Sequence, residues 1–247
     1  MTKLKAAAVI PARYASSRFP GKALAEILGE AMIVRVYKAV EKCEMIDAVY
    51  VATDDLRIKD RVEEVGGQVI MTSDQHQSGT DRIAEAAEQI EAELIVNVQG
   101  DEPLIKAESI ALALKPFSRE KNLKMSTLKR KIGVKEAENP DLVKVITDHN
   151  DYALYFSRSP VPYYRKAELD GQNYYQHIGL YVYRRDFLLQ YAKMERTPLE
   201  KAESLEQLRA LENGYKIKVL ETEAKLIGVD RREDIELVEK ALKSENN

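Results

Sequence analysis

A single cysteine, Cys43, leaves the 247-residue chain no partner for an internal disulfide. That excludes a disulfide scaffold and makes a reducing, cytoplasmic compartment the expectation. No apolar run approaches the roughly 20 residues that a membrane-spanning helix needs, so membrane insertion is not expected. The first apolar stretch ends at Pro11. It is too short for the core of a signal peptide and reads as a buried first strand. Charge of one sign is also missing: 38 basic and 41 acidic side chains leave a net charge of −3. Such a surface has no overall positive field to hold nucleic acid, so any anion chemistry must come from local clusters.

Several chemical signatures are absent as well. Neither GxxxxGK(S/T) nor GxGxxG occurs, so there is no P-loop and no dinucleotide fingerprint. No Gly-x-Ser-x-Gly elbow is present for a hydrolase nucleophile. His76, His149 and His177 are not spaced with one another or with Cys43 as a zinc site requires, and no transition metal is expected. Repeats, low-complexity tracts and linkers are missing too. The chain reads as one α/β domain over residues 1–247, with an antiparallel extension over roughly 125–185.

What is present begins with alternation. Ala6–Pro11, Ala48–Ala52, Gln68–Met71 and Leu94–Val98 read as strands, and Met32–Cys43, Leu56–Val65 and Thr80–Ile90 as helices. The order β-α-β-α with continuous apolar strands predicts a mostly parallel central sheet with helices on both faces. In such sheets ligands bind outside the carboxyl ends of the strands. The second half is less regular: strands are expected at Met125–Lys131, Val143–Thr147, Leu154–Ser157 and Gly179–Tyr183. Helices are expected at Asp186–Ala192, Pro198–Asn213 and Glu233–Leu242. Thr197 and Glu200 form a capping box for the second of these, and Gly214 stops it.

Four constellations carry chemistry. After the first strand, Arg13, Arg18 and Lys22 fall among small residues and a Pro20-Gly21 turn, a spacing suited to neutralising a polyphosphate. After the fourth strand, Asp101 follows Gly100 on a turn where Mg²⁺ could reach its carboxylate. Gln77–Arg82 opens a helix that Ser78 or Thr80 could cap, and Gly79 would let a planar base approach the backbone. Asp230, in Gly228-Val229-Asp230, is either the N-cap of the last helix or a second metal carboxylate.

Together these pieces resemble the 3-deoxy-manno-octulosonate (Kdo) cytidylyltransferases. The matching motifs are IPARYASSRFPGK (10–22), ATDD (52–55), SGTDR (78–82), NVQGDEP (97–103), YFSRSP (155–160), HIGLYVYR (177–184), ESLEQLRALENGYKI (203–217) and GVDRREDIE (228–236), in order over essentially the whole chain. The resemblance implies a nucleotide-diphospho-sugar transferase-like fold and transfer of CMP from CTP to Kdo. Pyrophosphate leaves, and CMP-Kdo serves lipopolysaccharide synthesis.

It also implies residue roles. Arg13, Arg18 and Lys22 would lie along the triphosphate, and Asp101 and Asp230 would hold Mg²⁺. Ser78 and Gly79 would frame the cytosine, and Gln99 would stand near the reacting centre, touching nucleotide and sugar. Arg158, His177, Tyr181, Glu206 and Gln207 would grip the sugar acid. One face of the Glu203–Asn213 helix would line that pocket while Leu205, Leu208 and Leu211 pack inward. A homodimer is implied as well. An N-acetylneuraminate cytidylyltransferase is the nearer alternative, against which Tyr14–Phe19 (YASSRF) matches the Kdo type. A glycosyltransferase-like or non-catalytic nucleotide-sugar binder is the other, with Asp54-Asp55 as its metal motif.

Overall fold

The computed structural model describes residues 5–16, 18–76, 78–165 and 173–245. Gln77 and the residues between Arg165 and Asn173 therefore lie outside the described set. The chain forms two compact units, one gathering Met1–Ala111 and Lys225–Asn247, the other Leu112–Ala224.

In the first unit the chain runs β1 (Ala6–Ala12), the short strands β2 (Glu26–Ile27) and β3 (Glu30–Ala31), α1 (Met32–Glu41), β4 (Ala48–Thr53) and α2 (Leu56–Glu63). It continues through β5 (Gln68–Met71), α3 (Gly79–Glu88) and β6 (Leu94–Asn97). Strand β1 is central: it pairs in parallel with β4 on one side and β6 on the other, and β4 pairs in parallel with β5. Val9, Ile10, Ile95 and Val96 are wholly buried, as expected of parallel strands covered on both faces. The helices form because their apolar residues recur every three or four positions. Ile33, Val36, Tyr37 and Val40 line the buried side of α1, and Ile58 and Val62 that of α2. Asp55 caps α2 by accepting the Arg57 N–H at 2.9 Å, and Ser78 caps α3 by accepting that of Asp81 at 3.2 Å. Helix α1 stops at Glu41, two residues earlier than its pattern suggested. Cys43 sits in the following turn, buried, with its N–H on the Val40 carbonyl.

After α4 (Ala107–Leu114) the second unit contains β7 (Met125–Ile132), α5 (Val134–Ala137), β8 (Lys144–Thr147) and β9 (Ala153–Ser157). Next come β10 (Tyr174–Arg184), α6 (Arg185–Tyr191), α7 (Pro198–Glu203), α8 (Gln207–Glu212) and β11 (Ile217–Glu221). Among the described residues antiparallel pairing dominates here: β10 pairs with β7 and β8, β8 pairs with β9, and β11 joins β7 in parallel. The strand expected at Gly179–Tyr183 is 11 residues long and carries a bulge between Ile178 and Tyr181. The helix expected across Pro198–Asn213 is broken in two. Ser204 takes a left-handed conformation (φ 53°, ψ 48°), and a buried Glu200–Arg209 ion pair at 2.5 Å ties the halves together. The chain then returns to the first unit and ends in α9 (Asp234–Glu245).

Candidate active site

The loop after β1 folds back on itself. Gly21, at φ 73°, donates its N–H to the Tyr14 carbonyl at 2.8 Å, and a Cβ there would press on the Tyr14 ring at 3.0 Å. Only glycine meets both conditions. The Arg57 guanidinium covers that ring at 3.3 Å. This turn aims Lys22 into a cavity of about 280 Å³ at the carboxyl ends of β1 and β6. Arg13, Arg18, Lys22, Ser78, Gly79, Gln99, Asp101 and Asp230 all line that one cavity.

Lys22 is the hub of its acidic side. Its Nζ donates to Asp101 Oδ2 at 2.5 Å and to the Val229 carbonyl at 3.1 Å, and lies 3.7 Å from Asp230 Oδ1. Arg18 meets the same Asp230 oxygen at 3.0 Å. The Arg18–Asp230 pair is more than half exposed on both sides, so it adds little to folding and leaves both groups available to a ligand. Asp101 is delivered by a close backbone approach, since a Cβ on Gly100 would stand 2.8 Å from the Pro11 carbonyl. Asp230 is held by the Val229 N–H, which donates to the Asp101 carbonyl at 2.9 Å. Its carboxylate does not cap the last helix. Asp234 accepts the N–H groups of Asp230 and Arg231 at 2.8 and 2.7 Å instead.

The two acids fit a divalent cation, because both converge on one positive point already taken by an ammonium. No three His, Cys, Asp or Glu side chains among the described residues cluster as metal donors. An ion here would take two carboxylates and complete its shell with phosphate and water, the habit of Mg²⁺. Glu102, which the sequence did not single out, stands behind them. Its Oε2 is buried without a partner, and burial with the nearby Asp101 and Asp230 carboxylates pushes its pKa up to about 8.

At the other end of the cavity the wall is the start of α3. A Cβ on Gly79 would meet only Pro11, at an ordinary 3.6 Å, and φ there is not positive. Glycine at this position therefore serves the open space rather than the packing. Gln99 donates its side-chain amide to Asn97 at 3.2 Å. Two ionisable residues of the lining escaped sequence reasoning. His76 pairs through Nε2 with Glu85, whose pKa it lowers. Arg82 is buried, donating to Thr72 Oγ1 at 2.5 Å and pairing with Asp54 at 3.4 Å. Asp54 therefore pairs with Arg82 through one oxygen, its Oδ1 buried without a hydrogen-bond partner, and Asp55 caps α2.

The residues expected to grip a sugar acid all belong to the second unit. Arg158, at the end of β9, donates from Nε to the Glu203 carbonyl at 2.8 Å and from Nη1 to the Pro140 carbonyl at 3.0 Å. His177 sits before the β10 bulge, edge-on to Phe156 at 5.0 Å and 5.3 Å from the Tyr181 ring. Burial lowers its pKa to about 3, so the ring is neutral. Thr127 Oγ1 lies 3.0 Å from its Nε2 and within 2.9 Å of the Ile178 and Leu180 carbonyls. With its one proton turned to a carbonyl, the hydroxyl accepts from Nε2–H and leaves Nδ1 as an acceptor. Glu206 precedes α8 and its carbonyl accepts from Tyr191 Oη at 2.5 Å. Gln207 is buried alongside Leu205 and Leu208, whereas Leu211 is half-exposed, so the two-faced division expected of this helix is only partly realised.

The chain matches the family model described as "Cytidylyltransferase" over residues 7–218. The 3-deoxy-manno-octulosonate cytidylyltransferase of Fusobacterium nucleatum is 53% identical over 245 residues, covering 98% of this chain and 99% of that protein. The protein of the same description from Trichlorobacter lovleyi is 49% identical over 246 residues, covering 96% and 98%. Among solved structures, CMP:2-keto-3-deoxy-manno-octonic acid synthetase complexed with CTP superposes with a TM-score of 0.93 at 42% identity, covering 98% of this chain and 99% of that one. The 4-diphosphocytidyl-2C-methyl-D-erythritol synthase of Anaerococcus prevotii, at 17% identity and a TM-score of 0.65, shares the fold over 98% of this chain and all of its own.

Proposed function

The chain belongs to the 3-deoxy-manno-octulosonate cytidylyltransferase family, and from that membership we propose a mechanism for its site. The enzyme transfers CMP from CTP to Kdo, forming CMP-Kdo and releasing pyrophosphate. One observation carries the mechanism: three cations and two acids from distant parts of the sequence line one cavity, with Lys22 between Asp101 and Asp230.

The reaction is an in-line displacement in which the anomeric hydroxyl of Kdo attacks the α-phosphorus of CTP. The protein forms no covalent bond. Its task is to align the reactants and neutralise the crowding of oxygen against phosphate. Arg13, Arg18 and Lys22 lie along the triphosphate and stabilise the departing pyrophosphate. Ser78 and Gly79 frame the cytosine, where the missing Cβ leaves room for a flat base. Gln99 stands near the reacting atoms.

Asp101 and Asp230 are the residues that would hold Mg²⁺. When bound, the ion would supply positive charge that offsets the crowding of oxygen against phosphate. Arg158, His177, Tyr181, Glu206 and Gln207 bind the sugar acid: Arg158 takes the carboxylate, and neutral His177 offers Nδ1 to a hydroxyl. The enzyme works as a cytoplasmic homodimer, as the resemblance implies. No helix among the described residues is long and apolar enough to cross a membrane.

Pyrophosphate release tests the whole reading. Purified protein with CTP, Kdo and Mg²⁺ should release one pyrophosphate per CMP-Kdo formed, and almost none when either substrate or the metal is omitted. Release with N-acetylneuraminate but not Kdo would contradict the substrate, and no release with any sugar acid would contradict the activity.

A further inference from the structure

Arg158 is tied down more completely than a ligand-binding arginine needs for folding alone. Its backbone N–H donates to Glu203 Oε2 at 2.8 Å, and its backbone carbonyl accepts from Lys144 Nζ at 2.5 Å. The side chain adds the two bonds to the Glu203 and Pro140 carbonyls. Glu203 braces the preceding residue as well, its Oε1 accepting the Ser157 hydroxyl at 2.7 Å.

Two features of this arrangement are costly. Lys144 is wholly buried, yet its bonded partners are the uncharged carbonyls of Arg158 and Asn139. A buried ammonium without a bonded carboxylate is expensive, and burial together with the adjacent Arg158 lowers its pKa. The second cost is the left-handed Ser204. In an unbroken helix the Glu203 carbonyl would accept an N–H four residues on; the break turns it to Arg158 Nε instead. Strain and a buried cation spent around one half-exposed arginine are marks of a site that must be preorganised.

We propose that Glu203 and Lys144 are positioning residues that fix the Arg158 guanidinium for the carboxylate of the sugar acid. The proposal rests on the assignment of Arg158 to that substrate. A planar guanidinium recognises a carboxylate through paired, directional bonds, so its orientation governs affinity for the sugar acid and leaves CTP untouched.

A double-variant cycle on the full-length enzyme with CTP, Kdo and Mg²⁺ tests it, using Arg158→Ala, Glu203→Gln and the pair, with thermal melts to verify folding. Arg158→Ala raises the KM for Kdo. Glu203→Gln raises it about tenfold while kcat and the KM for CTP stay close to wild type. The pair is no worse than Arg158→Ala, because Glu203 acts through Arg158. Effects that multiply, or an unchanged KM in Glu203→Gln, overturn the positioning role alone. An unchanged KM in Arg158→Ala overturns the assignment of Arg158, and the proposal with it. If Glu203→Gln does not fold, Lys144→Met carries the same cycle, since removing a buried charge for an apolar chain of similar length is compatible with packing. The same non-additivity is expected, and multiplying effects contradict it.

Discussion

Lys22 touches three groups that arrive from two distant parts of the chain: Asp101, and the Val229 carbonyl with, at longer range, its neighbour Asp230. Its side chain is mostly buried, but Asp101 and Asp230 both line the cavity, where water can replace the lost ammonium, so the larger loss falls on the proposed transition state. Lys22→Ala should keep its melting temperature and lose about a hundredfold in turnover, the usual size of one charge contact made in the transition state. Near-normal kcat/KM in the folded variant would remove Lys22 from the chemistry.

His177 makes a prediction of a different kind. Its pKa falls from 6.5 to about 3 in the folded protein. Between those values the unfolded chain binds a proton that the native ring refuses. Stability therefore drops as pH falls through this window, by up to about 1.4 kcal/mol per unit for this one group. His177→Gln removes the effect, so urea unfolding at pH 7 and pH 5 should show a shallower loss in the variant. Parallel losses would mean that the ring protonates freely in the native state.

At the scale of elements, the parallel half was legible and the antiparallel half only partly so. β1, β4, β5 and β6 are continuous apolar runs bounded by turns, and Ser78 announces α3 as a side-chain cap. In β10 the polar Gln176 and His177 and the bulge at Gly179 hide the first half of an 11-residue strand. β11 carries Lys218 between apolar neighbours and leaned on nothing local that sets it apart. The break between α7 and α8 has no Gly or Pro to mark it, because its cause is long-range: the Glu203 carbonyl goes to Arg158 and Glu200 to Arg209. The strain at Ser204 is measurable. Ser204→Gly should leave stability unchanged or raise it by up to about 1 kcal/mol, since glycine adopts this conformation freely. Ser204→Val should lower it by about 1–2 kcal/mol, read by urea unfolding. Equal stabilities in all three would mean that the turn relaxes.

At the scale of the whole molecule, the site depends on the chain coming back. The first unit takes its sheet from the amino-terminal segment and receives Asp230 from the carboxyl-terminal one. A small core of Phe19, Met32, Leu104, Val229 and Val238 joins the first loop, the turn after Asp101 and α9. Burying such side chains contributes about 1.5–3 kcal/mol each, which seats Val229 and hence the acid beside it. Arg13, Arg18, Lys22 and Asp101 were legible because each follows a buried strand. Asp230 was legible only as one of two readings, and Glu102, His76 and Arg82 were not legible, because their surroundings are set by residues far away in sequence.

Asp230→Asn is the measurement that decides most. Asparagine keeps the size and turn geometry, Asp234 still receives the N–H groups of residue 230 and Arg231 in the turn before α9, and only the charge is lost. If Asp230 and Asp101 share one Mg²⁺, the variant keeps its melting temperature, loses about a hundredfold in pyrophosphate release, and regains part of it at high Mg²⁺ or Mn²⁺. A fully active Asp230→Asn with an unchanged Mg²⁺ requirement would contradict the shared metal site.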